Sequence, residues 1–350
     1  MKHATPAAPV ALKHARALAT AFLEQGSLMA RVESRMRELA GERVDDPGAQ
    51  MVHEHLATGG KRLRARLALA ACQALGGSAK DAIDWAAAVE LLHNASLVHD
   101  DIQDGDRTRR GKPALWVTHG AAQAINTGDL LLMLPFRALA DYSAETQASL
   151  VQILASYAER TARGQIRELR LTASAERVWG DYLAAVSGKT GTLFGLPVRG
   201  AATLAGVETD EADAIASAFA SIGVLYQLQD DLLDLYDAKG RGSKASDIYE
   251  GRLSAVVLTH LDLHPEEANA VFAILVKPRA ETRADEVQWL TRRFIDGGAV
   301  QQLLERIELL ASELLASDAL GASSNIRAVA EQLVHLVLAP LQTLKGSAHE

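Results

Sequence analysis

The sequence predicts an all-α protein. Ala and Leu dominate the composition, while aromatic residues make up only 5% and Pro only 9 of 350 positions, a balance that favours helix over sheet. Helical periodicity recurs along the chain, for example from Leu18 to Leu39 and from Val287 to Leu315. Strand-like alternation is not evident, and the breaks between periodic stretches are short Gly, Pro or Ser clusters.

At 48% hydrophobic residues the chain is able to bury a substantial core, and no linker is long or biased enough to mark a domain boundary. One helical domain is expected over residues 15–345, with disorder over 1–14. The single cysteine, Cys72, sits in the apolar run Leu67 to Leu75 and reads as a buried structural thiol, which fits a reducing cytoplasm. Lys13 and Arg16 interrupt what would have to be the apolar segment of an export signal, and no apolar run is long enough to span a membrane. The net charge of −8 argues against nucleic acid as a partner.

Two segments echo each other: Ser96 to Asp104 reads SLVHDDIQD, and Tyr226 to Asp234 reads YQLQDDLLD. Both end in Asp-Asp-x-x-Asp. On a helix, Asp100 and Asp104 project from one face a turn apart, as do Asp230 and Asp234, with Asp101 and Asp231 beside them. Like charges at this spacing repel by roughly 0.2–0.5 kcal/mol per exposed pair, so something positive should compensate them. A solvated acidic helix end would explain one such cluster. Two copies point instead to a hard cation, magnesium, which bridges carboxylates to substrate phosphates, and so to a diphosphate substrate. His260 and His264 share helical spacing but stand next to Pro265, and they read as a polar helix end with no metal.

Bound phosphates require cations. Gly59-Gly60-Lys61-Arg62-Leu63-Arg64 offers them where one helix ends on glycines and another begins, with Lys61 and Arg64 spaced to share a face. Arg109-Arg110-Gly111-Lys112-Pro113 follows Asp104 closely, which holds two guanidinium forks near the first acidic cluster. Lys189-Thr190 follows a Gly, and Lys244 lies in a Gly- and Ser-containing loop, Asp237 to Ser246, that reads as a mobile lid. His93 lies two helical turns before Asp100 on the same face, where it is either a core residue or a phosphate ligand.

These motifs resemble the trans-isoprenyl diphosphate synthases, the polyprenyl synthetase family, over about residues 50 to 260. The resemblance implies a helical bundle around a central cavity, usually dimeric. It implies that Lys61, Arg64, His93 and Arg110 hold isopentenyl diphosphate without metal, and that Arg109, Lys189 and Lys244 grip an allylic diphosphate. Asp100, Asp104 and Asp230 would ligate three magnesium ions, with Asp101 and Asp234 counted in the same metal site, while Thr190, Gln227 and Gln165 line the pocket. The implied chemistry is ionisation of the allylic diphosphate in a dry cavity, attack by the isopentenyl double bond, and proton loss to the released diphosphate.

Glu168, Arg252 and Ala65 depart from the family's usual Asp, Lys and Pro, and no basic cluster marks the C-terminal end. A terpene cyclase would have no need for a second diphosphate clamp. A noncatalytic partner subunit would be expected to lack motif carboxylates, and a His-Asp phosphohydrolase would need further His ligands beside His99-Asp100. Ala95 and Ser96 precede Asp100 by five and four positions. Both are small, which by the resemblance leaves room for products longer than farnesyl, geranylgeranyl first among them.

Overall fold

The computed structural model describes residues 25–42, 45–171, 179–236, 245–321 and 323–347, with side chains to Leu341. The disorder expected over 1–14 lies outside them. In chain order the helices are α1 (Gly26–Ala40), α2 (Pro47–Leu56), α3 (Leu63–Ala74), α4 (Ile83–Gln103), α5 (Leu115–His119), α6 (Ala121–Ala138), α7 (Ala144–Leu171) and α8 (Trp179–Val186). They continue as α9 (Thr192–Leu204), α10 (Thr209–Asp234), α11 (Ser246–Tyr249), α12 (Ala255–Leu263), α13 (Ala268–Leu275), α14 (Ala284–Asp296), α15 (Ala299–Leu315) and α16 (Ser324–Ser347). The all-α expectation holds among the described residues with one exception, a two-stranded hairpin of β1 (Thr108–Arg109) and β2 (Lys112–Pro113).

The chain forms two compact units. One comprises the described residues up to Tyr157 together with Phe194–Phe219 and Leu315–Gln332; the other comprises Ala158–Leu193, Ala220–Leu314 and the chain from Leu333 onward.

In the first unit α4 is the central element. It packs along α6 and is flanked by α1 and α3. Its upper turns are apolar on nearly every side, with Trp85 through Leu92 all buried, as the Ala-rich sequence there dictates. Trp85 has no exposed surface, and its indole N–H donates to the carbonyl of Pro197 at 3.0 Å. Gly200 makes room for it, because a Cβ there would overlap the indole ring. Gly128 on α6 does the same for His99 on α4. Arg35 fastens α1 to the start of α4 through Asp84 at 2.7 Å and reaches Asp141 at 2.8 Å. Cys72 is buried as expected, and burial pushes its thiol up to about 11.

In the second unit, α8 leads into a π-helical turn, Ser187–Gly191. Gly164 of α7 and Gly188 of that turn touch backbone to backbone, an approach that a side chain at either position would block. The periodic stretch from Val287 to Leu315 is two helices rather than one, since Gly298 turns the chain at φ 82° between α14 and α15.

Candidate active site

The first acidic motif closes α4, with Asp104 as its C-cap. Above it, His93, Ser96, Leu97, Asp100 and Asp104 are part-exposed and fall on one stripe, while Asn94, Ala95, Val98 and Asp101 are buried. Helix geometry accounts for this split. At about 100° per residue, Ser96 lies ~40° from Asp100 around the axis and Ala95 ~140° from it. The expectation that both small residues border one open space is therefore corrected: Ser96 lies on the stripe, and Ala95, 0% exposed, faces the packed side.

Asp101 is 2% exposed, and its carboxylate accepts from Arg109 Nε at 2.8 Å and from Arg109 Nη2. Burial pushes its pKa up although Arg109 pulls the other way. The Arg109 guanidinium also lies 3.6 Å from Asp106.

Arg109 belongs to the hairpin, which the sequence reading missed by taking 109–113 only as a basic segment close to the first acidic cluster. Its register pairs Thr108 with Pro113 and Arg109 with Lys112, leaving Arg110-Gly111 as a two-residue turn. Both turn residues have positive φ, 54° and 77°, as a type I′ hairpin requires. The Arg-Gly dipeptide was the available signal, masked because Arg rarely takes that conformation.

The hairpin docks on the loop between α2 and α3. Arg110 Nη1 donates to the carbonyl of Gly59, and Lys112 Nζ to that of Ala57 at 2.8 Å. Gly60, at φ 127°, lies against the Arg110 guanidinium, which a Cβ would meet at 2.5 Å. These cations neutralise carbonyls at the negative end of α2. Lys61 is exposed and precedes α3, so it does not share a helical face with Arg64 as the spacing suggested. Arg64 Nη1 donates to His93 Nε2 at 3.0 Å, joining α3 to the α4 stripe.

Lys61, Arg62, Arg64, Arg109 and Arg110 thus crowd one region of the first unit, with Lys112 beside them. Burial and this positive charge together disfavour protonation of the neighbouring imidazoles. Desolvation, then Arg64, Arg110 and Arg109, hold His93 well below the usual histidine range. Desolvation and then Arg110, Arg109 and Arg62 lower His55, 2% exposed on α2, to about 3. Burial and the surrounding cations also lower Arg110. Such crowding suits an anion, and both imidazoles are neutral near pH 7.

The second acidic motif closes α10 in the second unit. Asp230 is part-exposed, whereas Asp231 is 4% exposed and accepts from Tyr182 Oη at 2.7 Å, the Ala255 N–H at 2.7 Å and Gln227 Nε2 at 2.8 Å. Gln227 Oε1 in turn accepts from Thr190 Oγ1 at 3.1 Å. Asp234, 3% exposed, accepts from Ser246 Oγ at 2.5 Å and the Asp247 N–H at 2.9 Å, which caps α11. Lys189, in the π-helical turn, lies 2.7 Å from Glu168, and Arg252 lies 3.9 Å from the same carboxylate. Two of the residues that depart from the family pattern, Glu168 and Arg252, therefore meet beside Lys189. Gln165 is part-buried one turn before Glu168. Lys244 and positions 237–244 of the expected lid lie outside the described residues.

His260 is fully buried with Nε2 3.2 Å from Glu267, and His264, Glu266 and Glu267 draw together nearby. Arg293 Nε donates to Glu267 at 3.0 Å, so this cluster already holds its own cation. No helix of the described residues is long and apolar enough to cross a membrane.

Residues 47–293 match the family described as Polyprenyl synthetase. A short chain isoprenyl diphosphate synthase from Methanothermobacter thermautotrophicus is 32% identical over 241 residues, 66% of this chain and 74% of its own length. A geranylgeranyl pyrophosphate synthase from Geoglobus acetivorans is 31% identical over 279 residues, 79% of this chain and 85% of its own. The crystal structure of a polyprenyl synthase from Caulobacter crescentus CB15, complexed with calcium and isoprenyl diphosphate, matches with a TM-score of 0.80 at 27% identity, covering 91% of this chain and 97% of that one.

The buried imidazoles predict an acid-sensitive fold. A histidine whose folded pKa is depressed binds its proton only in the unfolded chain, so its contribution to stability is complete above the ordinary value and falls as pH drops below it. For His55 that loss runs from about 6.5 down towards about 3, at about 1.4 kcal/mol per pH unit. Urea unfolding between pH 7 and pH 4.5 is expected to show a shallower loss in His55→Asn than in the unaltered protein; identical slopes would contradict the burial of a neutral His55.

Proposed function

The chain belongs to the polyprenyl synthetase family and is a prenyltransferase, an isoprenyl diphosphate synthase, and from that premise we propose that it joins isopentenyl diphosphate to an allylic diphosphate with magnesium, making geranylgeranyl diphosphate. The observation that carries this reading is the contrast between a group of cations around the α2–α3 loop and acidic helix ends whose part-exposed members are hard oxygen donors.

In this reading Lys61, Arg64, Arg110 and the neutral His93 hold isopentenyl diphosphate without metal. Asp100, Asp104 and Asp230 hold the magnesium ions, three by family resemblance, whereas Asp101 and Asp234, expected in the same metal site, are reassigned to fixing the surrounding protein because Arg109, Ser246 and the Asp247 N–H already engage their carboxylates. Bound magnesium supplies positive charge that stabilises the departing diphosphate. Lys189 adds its ammonium to the allylic diphosphate, Arg109 contributes charge from its place against Asp101, and Lys244 is assigned the same substrate. Thr190, Gln227 and Gln165 line the allylic side. The bond between the allylic C1 and diphosphate breaks, the isopentenyl double bond then forms the new carbon–carbon bond to that C1, and the released diphosphate takes the proton from C2 of the isopentenyl unit. No side-chain base is required. The calcium and isoprenyl diphosphate named for the Caulobacter structure support the metal and ligand classes. The small Ser96 on the α4 stripe supports a product longer than farnesyl. The reading includes a cytoplasmic homodimer, for which Ile125, Met133 and Phe136, apolar and exposed on α6, offer a surface.

Incubation of the purified chain with isopentenyl diphosphate, magnesium and each allylic primer, followed by sizing of the products, tests the function. A twenty-carbon diphosphate from the chain alone is expected; no condensation in magnesium with any primer would sink the reading, and a cyclised hydrocarbon would favour the terpene cyclase.

The two aspartates of each pair are expected to behave differently. Asp230→Asn should lower kcat by roughly 10²–10³-fold with little change in urea midpoint. Asp231→Asn should lower stability by about 1–3 kcal/mol, because it disturbs buried bonds to Tyr182, Ala255 and Gln227. Equal effects of the two substitutions on stability would contradict the division of labour.

A further inference from the structure

Arg62 has no role in the reaction as described so far, although it stands between Lys61 and Arg64. Its backbone is left-handed at φ 49°, a conformation that is unfavourable for a non-glycine residue, and it forms the N-cap position of α3. Its side chain turns inward and is 6% exposed. There Nη2 donates to the carbonyl of Leu56 at 2.8 Å, closing the end of α2, and Nη1 lies 3.5 Å from Asn94 Oδ1. Two carboxylates flank the guanidinium, Glu90 at 3.7 Å from Nη1 and Glu33 at 3.7 Å from Nε.

Glu90 is itself 2% exposed and does a second task, since its Oε2 accepts from the Ala65 N–H at 3.2 Å. That N–H is one of the donors that the first turn of a helix leaves unpaired, so Glu90 caps α3 from a distance while it faces Arg62. The end of α2, the left-handed turn and the start of α3 are therefore tied to α4 through one buried guanidinium and one buried carboxylate. Lys61 immediately precedes this tie, and Arg64 lies in the first turn of α3 just after it.

We propose that Arg62 is a positioning residue for the isopentenyl diphosphate site: held by Glu90, Leu56 and Asn94 under the α2–α3 loop, it sets the backbone that aims Lys61 and Arg64 at the diphosphate without touching substrate itself. The inference rests on the reading of Lys61, Arg64 and Arg110 as the holders of that substrate. A lysine cannot replace Arg62, because a single ammonium cannot reach the carbonyl of Leu56 and the amide of Asn94 with the planar fork that does so here.

The test is steady-state kinetics of the full chain with each substrate varied in turn, on Arg62→Met, Arg62→Lys, Glu90→Gln and, as reference, Arg64→Ala. Both Arg62 variants are expected to raise KM for isopentenyl diphosphate by about tenfold or more, while KM for the allylic diphosphate stays within about twofold and kcat at saturation is largely kept. Glu90→Gln, which keeps an acceptor for Ala65, should shift the same KM in the same direction by less and remains informative if Arg62→Met does not fold. Equal changes in both KM values, a loss confined to kcat, or full rescue by lysine would overturn the positioning role. If Arg64→Ala raises KM for isopentenyl diphosphate and none of the other three variants does, the positioning role alone fails. If Arg64→Ala itself leaves that KM unchanged, the assignment of the site fails and this inference falls with it.

Discussion

The ion pair between Asp101 and Arg109 is the contact on which the basic region of the first unit depends. Asp101 is buried at the end of α4, and an ionised carboxylate there is tolerable only because Arg109 meets it with two nitrogens. Such a pair adds little net stability by itself, but losing either partner leaves a buried charge uncompensated, which makes the geometry hard to abandon. That geometry fastens β1 to α4. The hairpin turn then delivers Arg110 to Gly59 and Lys112 to Ala57, and these contacts shape the loop that carries Lys61 and Arg64. An acidic motif thus organises a basic one.

The same division recurs on α10. Within each Asp-Asp pair the residues stand about 100° apart around the helix, so one can turn into the protein while the other stays part-exposed. The inward member is bonded to the fold: Asp101 to the hairpin, Asp231 to Tyr182 and to the first turn of α12 through Ala255. Asp234 goes further and caps α11. The motif therefore carries its own scaffold, and the carboxylates assigned to magnesium are held in place by neighbours one and four positions away.

The helical class, the two acidic helix ends and most of the basic residues were legible in the sequence, because periodicity and charge spacing are local properties. The identity of the buried aspartate in each pair was not. It depends on partners distant in the chain, such as Ala255 for Asp231, and nothing in Asp-Asp-x-x-Asp distinguishes ligand from anchor. The hairpin was missed because two-residue strands carry no alternation and an arginine at positive φ is held there by contacts rather than by propensity. Arg62 read as one more basic residue in a basic run, since its burial follows from Glu90 and Asn94 on another helix. Ala95 and Ser96 were taken as a pair although one residue of helical rotation sends them to different surroundings.

The proposed function assigns the two diphosphates to holders of different chemistry, one made of fixed cations and one that needs metal. Calorimetric titration of the full chain with isopentenyl diphosphate and, separately, with a non-ionising allylic diphosphate analogue, each in chelator and in magnesium, measures this directly. Isopentenyl diphosphate is expected to bind with similar affinity in both buffers, and the allylic analogue only when magnesium is present. Binding of isopentenyl diphosphate that vanishes in chelator, or allylic binding indifferent to magnesium, would contradict the account.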